Sequence, residues 1–203
     1  LDFKDTIKIL RIRGDAMQNS VPKGQGGMAA VLGVSVEKIE QVLEKHKKNF
    51  VVQIANDNSE KQTVLSGKVE DLNRLGAVLE NLKIKFIKLP VSAPFHCNLM
   101  SKATKIMREE LNKLNFKNGK NLLISNVTAD EVSNAHELKE LLVKQIENRV
   151  RWRESVIKMI NQGVNQFIEI GPGKVLSGLV KRINKDVTVN SINNKDDIKS
   201  INL

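Results

Sequence analysis

An α/β fold, with a small antiparallel unit set into a larger helix-and-strand layer, is predicted by two observations. Between Met28 and Leu89 the hydrophobic spacing switches repeatedly between period two and period 3.6, giving the order β-α-β-β-α-β. After Pro90 longer helical runs alternate with single strands, ending in a strand, a Gly171-Pro172-Gly173 turn, a helix and a strand. That ending is the pattern of parallel pairing.

Each element has a local reason. Phe3, Ile7, Leu10 and Met17 fall near helical spacing over 2–18, and the proline and glycines of 21–27 then break the run. The spacing next predicts a strand over 28–33, a helix over 35–47, a strand over 50–55, a turn at Asn56-Asp57-Asn58-Ser59, a strand over 62–67, a helix over 70–82 and a strand over 84–89. This order is the ferredoxin-like, split βαβ unit, in which two helices cover one face of a four-stranded sheet. Beyond Pro90 the expectations are a helix over 98–114, a strand over 122–127, helices over 137–146 and 150–162, a strand over 166–170, a helix over 175–183 and a strand over 187–192, followed by a polar tail. Three parts result: 1–26 and 91–203 form the large α/β subdomain, and 27–90 is the small one.

Composition excludes several classes. A net charge of +10 invites a nucleic-acid reading, but 33 basic residues are mixed with 23 acidic ones along the whole chain, and clustering is what phosphate recognition requires. An RNA-binding sheet would also display stacking aromatics, and aromatic residues make up only 3% of the chain. No nucleic-acid partner is expected. No apolar run approaches the length of a membrane span, and the N-terminal LDFKDTIKIL is too charged for a secretory leader. The single Cys97 rules out an internal disulfide and a cysteine-based zinc site. A cytoplasmic protein without a metal is expected. The chain starts at Leu1, inside a helical pattern, so further residues are expected upstream.

The stretch most informative about chemistry is 89–100, LPVSAPFHCNLM, where His96 stands between a strand-like and a helix-like run. A histidine so placed suits a general base. Yet no Gly-x-Ser-x-Gly nucleophile elbow occurs in the chain. Ser35, in Gly33-Val34-Ser35-Val36-Glu37, suits a helix N-cap better than an elbow. Ser92 lies upstream in extended chain, and Cys97, next to the base in sequence, is badly placed to form a dyad with it. Gly171-Pro172-Gly173-Lys174 lacks the spacing of a phosphate-binding P-loop and reads as a tight strand-to-helix turn.

Six segments in order carry a family resemblance: Arg11-Ile12-Arg13-Gly14-Asp15-Ala16-Met17-Gln18; Gly27 to Gly33; Asn56 to Ser59 with Gln62, Ser66 and Gly67; the 89–100 stretch; Gln145 with Val150 and Trp152; and Glu169-Ile170-Gly171-Pro172-Gly173-Lys174-Val175-Leu176. Together they resemble the C-terminal two-thirds of the malonyl-CoA:acyl carrier protein transacylases. The resemblance implies an α/β-hydrolase-like core, here partial, carrying the ferredoxin-like subdomain. It implies transfer of malonyl from malonyl-CoA to the phosphopantetheine thiol of acyl carrier protein, through a serine acyl-enzyme and without a cofactor.

By that resemblance His96 is the catalytic base and Arg13 binds the malonyl carboxylate as a bidentate fork. Gln145 orients the histidine through its backbone carbonyl, and Asn56 and Asn58 lie beside the pocket. The structural alternatives are His96 as a helix cap, Arg13 as a surface residue like Arg11, and the asparagines as turn formers. The serine falls in the expected upstream segment or on a partner chain. The competing function is a silent or split remnant that binds acyl carrier protein or that partner. Two departures from the family pattern stand out: Glu60-Lys61 where proline and glycine are common, and Arg149 where proline is common.

Overall fold

The computed structural model describes residues 1–199, so the last four residues of the expected 91–203 part lie outside the described residues. Helix α1 (Phe3–Gln18) starts at Asp2, whose side chain accepts from the Asp5 amide at 2.8 Å. The small unit follows in the expected order: β1 (Gly26–Leu32), α2 (Val36–Lys45), β2 (Val52–Ser59), β3 (Gln62–Lys68), α3 (Val69–Asn81) and β4 (Lys85–Lys88). Its four strands are antiparallel in the order β2-β3-β1-β4. Ser35 caps α2, as its sequence context predicts.

The turn expected at Asn56 to Ser59 is not there. These four residues continue β2 and pair with β3, and the chain reverses instead at Glu60-Lys61, closed by Ser59 opposite Gln62. Asparagine and aspartate favour turns because their side chains bond the local backbone. Here tertiary partners overrule that preference. Two register shifts, between Ile54 and Asn56 and between Asp57 and Ser59, let the strand bend. Asp57, 0% exposed, takes Arg153 Nε on both carboxylate oxygens at 3.0 and 3.1 Å.

Beyond Pro90 a 3-10 turn (Asn98–Met100) leads into α4 (Ser101–Asn112). The strand expected over 122–127 shrinks to β5 (Leu123–Ile124), which pairs antiparallel with β6 (Glu131–Val132) as a small hairpin outside the parallel layer. Ser125 explains this: its amide donates to Asp130 O at 2.9 Å and its Oγ accepts from the Val127 amide at 3.2 Å, turning the chain back at once. Helices α5 (Ala135–Lys144) and α6 (Trp152–Asn161) precede β7 (Gln166–Ile170), α7 (Val175–Ile183) and β8 (Thr188–Ile192), and β7 and β8 pair in parallel. The polar tail, expected without structure, holds a short α8 (Lys195–Ile198) opened by a capping box of Asn194 and Asp197.

Burial sorts the sheet faces. Ala29, Val31 and Leu65 pack under α2 and α3 with Ile39, Leu72, Leu75 and Leu79, while Met28, Ala55 and Val64 face the other way toward Leu89 and Phe95. Phe95 also packs on the cluster formed by α1 and α4 (Ile9, Ala16, Met17, Met100, Ala103, Met107). One aromatic ring therefore touches both cores, one residue before His96. Of the four apolar residues that announce α1 only Met17 is buried: Ile9, Ala16 and Met17 do the packing, and Phe3 is 81% exposed, with Ile7 and Leu10 beside it on the surface.

Two outcomes test this account. A Cβ added at Gly26 would lie 2.4 Å from the rigid ring of Pro94, so Gly26→Ala is expected to cost about 2 kcal/mol in urea unfolding; an unchanged midpoint would refute the contact. Asp57→Ala takes from Arg153 its short carboxylate contacts and should cost roughly 3 kcal/mol in the same unfolding, the low end for a broken buried pair because Arg153 keeps some solvent and Arg149 keeps Glu40 and Glu154.

Candidate active site

The segment carrying His96 is fixed from several sides. Strand β4 hands over to it where the Leu89 amide donates to Met28 O at 2.9 Å, and Pro94 then lies against Gly26. The Cys97 thiol donates to Pro94 O at 3.1 Å, the Met100 amide to Cys97 O at 3.0 Å, and the Asn98 amide to Gln53 Oε1 of β2 at 2.8 Å. Within this frame His96 adopts φ +58°, a left-handed conformation uncommon for a residue with a Cβ. The helix-cap alternative fails: Cys97, not His96, occupies the cap position of the 3-10 turn, and no side chain of the cap residue serves it.

His96 Nδ1 lies 2.8 Å from the backbone oxygen of Gln145. A carbonyl can only accept, so Nδ1 carries the proton and the Nε2 lone pair is left available. Burial pulls the imidazole below its ordinary value of 6.5; the Gln145 carbonyl acts against this, and the positive Arg13 nearby acts with it. The ring is thus held neutral with one nitrogen basic, the state a general base needs at neutral pH.

Arg13, half-buried on α1, donates through Nη2 to the side-chain oxygen of Gln145. Burial lowers its guanidinium pKa, yet an arginine stays charged. Arg11, two residues earlier on the same helix, points to solvent and pairs with Asp15 at 3.0 Å, as expected from residues that cannot share a face. Gln145 Nε2 in turn donates to Asn126 Oδ1 at 3.2 Å. One residue therefore holds the histidine with its backbone and the arginine with its side chain. The identity of Gln145 thus matters as well as its placement, since its amide oxygen is what binds Arg13.

Asn56 and Asn58 are hydrogen-bonded to none of these three. They are half-buried on β2, and Asn56 bridges Val150 in the segment after Gln145. Asn126, Gln53 and Asp57 were missed as site residues: a polar residue inside a strand pattern, as the first two are, or in what reads as a turn, as Asp57 does, gives no hint of what it faces across the fold. Ser92 accepts from Gln18 Nε2 at 2.7 Å, and Cys97 is buried with its thiol pushed up by that burial, so neither is primed as a nucleophile. At the Gly171-to-Lys174 turn the first amides of α7 are already taken, Leu176 N and Ser177 N donating to Glu169 at 3.1 and 2.8 Å. An anion has no free donors in that pair, which agrees with a plain strand-to-helix turn. Among the described residues no group of His, Cys, Asp and Glu could hold a metal, and no helix is long and apolar enough to cross a membrane.

Comparison with known proteins meets this geometry. The family model described as "Acyl transferase domain" matches residues 1–203. The chain belongs to the acyl transferase domain family. Within it, the chain is 40% identical over 201 residues to the malonyl CoA-acyl carrier protein transacylase of Bacillus subtilis, covering 98% of this chain and 63% of that protein. The crystal structure of the Clostridium perfringens malonyl CoA-acyl carrier protein transacylase superposes with a TM-score of 0.94 at 38% identity, again over 98% of this chain and 63% of the other. A structure of a type II PKS acyl-carrier protein in complex with its malonyl-transacylase matches with a TM-score of 0.92 at 33% identity, over 98% and 65%. This acyl transferase chain thus spans a little under two-thirds of the relatives it matches.

The neutral, half-buried His96 has a pH signature. Its folded pKa lies below the unfolded value, so between the folded midpoint and 6.5 the unfolded chain binds more protons and stability rises with pH. Below the folded midpoint and above 6.5 this contribution is level. An NMR titration of the ring should give a midpoint under 6.5, and a midpoint at or above it would contradict the assignment.

Proposed function

We propose that this chain carries the proton-accepting and carboxylate-binding half of a malonyl transfer site, which moves malonyl from malonyl-CoA to the phosphopantetheine thiol of acyl carrier protein. The observation that carries the reading is Gln145, which brings His96 and Arg13 to one residue from α1 and from the loop before α4. Support comes also from the names of the relatives and from the complex of a malonyl-transacylase with its acyl-carrier protein.

In this reading a serine hydroxyl attacks the thioester carbonyl while His96 Nε2 takes its proton. Collapse of the tetrahedral intermediate expels the CoA sulfur, which receives the proton from His96, and leaves malonyl on serine. The carrier thiol then attacks, His96 accepts its proton and returns it to the serine. Arg13 pairs with the free carboxylate of malonyl, a group acetyl lacks. Asn56 and Asn58 line the acyl pocket from β2. No cofactor enters these steps.

The nucleophile is not among these 203 residues, since they hold no Gly-x-Ser-x-Gly. We place it on residues outside this chain, in the same polypeptide or on a partner. The exposed stripe of Phe3, Ile7 and Leu10 supports a further surface against α1, because contiguous apolar residues are normally covered. The architecture we infer is a partial α/β-hydrolase-like core made of 1–26 and 91–203, with 27–90 as an inserted ferredoxin-like subdomain. A cytoplasmic location fits it.

Residues 1–203 alone, incubated with malonyl-CoA, should gain no covalent malonyl group by intact mass, and a stable adduct would sink the reading. In the complete enzyme His96→Ala is expected to slow acylation about 10²–10⁴-fold. Arg13→Ala should cost malonyl about 10–100-fold relative to acetyl, the worth of a charged hydrogen-bond pair; equal losses for both acyl groups would remove Arg13 from the carboxylate.

A further inference from the structure

His96 is in a left-handed conformation, φ +58°, and a residue with a Cβ stays there only when its surroundings hold it. Most of what holds it is local: the Cys97 thiol on Pro94 O, and the Met100 amide on Cys97 O. One restraint is not. The Asn98 amide, which opens the 3-10 turn, has no acceptor from its cap residue and donates instead to Gln53 Oε1 at 2.8 Å. Gln53 lies 45 residues earlier, on β2 of the small unit.

The same strand fixes the other end of the frame. The Val150 amide donates to Ala55 O at 2.7 Å and the Asp57 amide to Val150 O at 2.9 Å, so the segment carrying Gln145 is pinned to β2 two residues beyond Gln53. Asp57 reinforces the join through Arg153. Strand β2 therefore spans from the backbone beside His96 to the segment whose carbonyl receives Nδ1. The backbone beside His96 and the segment that follows Gln145 are thus both held by β2, at positions two residues apart.

We propose that Gln53 is a positioning residue for His96: by capping the Asn98 amide it fixes the histidine backbone, and through it the Nδ1-protonated tautomer bonded to Gln145. The inference rests on reading His96 as the base, but its test does not use activity. Gln53→Met keeps the length of the side chain and removes the acceptor; Gln53→Glu keeps an acceptor. Long-range ¹H–¹⁵N spectra of the 203-residue chain report the tautomer of each ring, with His46 and His136 as internal references.

The wild type should show His96 protonated at Nδ1 alone. In Gln53→Met a second tautomer should rise to about a tenth of the signal or more, the scale of a populated minor state, and the titration midpoint should move up toward 6.5. Gln53→Glu should restore the single tautomer. A Gln53→Met spectrum unchanged in tautomer and midpoint would overturn the proposal even if the variant were less stable, and so would a Gln53→Glu chain that behaved like Gln53→Met. Should Gln53→Met not fold, Gln53→Asn, one methylene short of Asn98, decides on the same spectrum. Failure of acyl transfer in the complete enzyme would count against the proposed function and leave this result standing.

Discussion

The short parallel bridge between β2 and Val150 is the contact on which the rest of the arrangement hangs. Two hydrogen bonds, Val150 N to Ala55 O and Asp57 N to Val150 O, tie the four-stranded unit to the chain that follows Gln145. Backbone bonds of this kind carry modest net energy, about 1 kcal/mol each. Their directional value is larger. They fix the register of a strand against a segment nearly a hundred residues away, and that segment presents both groups of Gln145 to the site.

Charge reinforces the bridge. Arg149 supplies a cation that reaches Glu40 at 2.7 Å and stands 3.9 Å from Asp57. Arg153 completes the cluster with two bonds to the buried carboxylate. A carboxylate with no solvent exposure is costly unless paired, and here the pairs connect α6 to β2.

Periodicity revealed most of the elements, because a buried face imposes its period on the sequence: β7, α7 and the β-α-β-β-α-β order are all read from apolar spacing. It failed where side chains decide. Asn56 to Ser59 look like a turn until Asp57 meets Arg153, and 122–127 looks like a strand until Ser125 turns the chain. The site was legible only as a set of residues. The family resemblance implied His96, Arg13 and Gln145 as a set, with the Gln145 carbonyl facing the histidine, and the structure brings the three into contact. That the Gln145 amide holds Arg13, or that Gln53 reaches Asn98, depends on contacts between residues 132 and 45 positions apart, which no local pattern encodes.

The Gln145 side chain also bears on how an anion would be chosen. Its oxygen is a neutral acceptor on a half-buried guanidinium, so in the free site Arg13 is hydrogen-bonded but its charge is not neutralised. A carboxylate arriving there exchanges a neutral partner for a charged one and can take two parallel bonds from the guanidinium fork. Had an aspartate or glutamate stood at position 145, the arginine would already be compensated and the carboxylate would have to displace its own equivalent. The same negative charge would raise the pKa of His96, whose ring bonds the same residue, toward the protonated form that cannot accept a proton. A neutral amide at this position keeps the arginine open to an anion and the histidine basic at once.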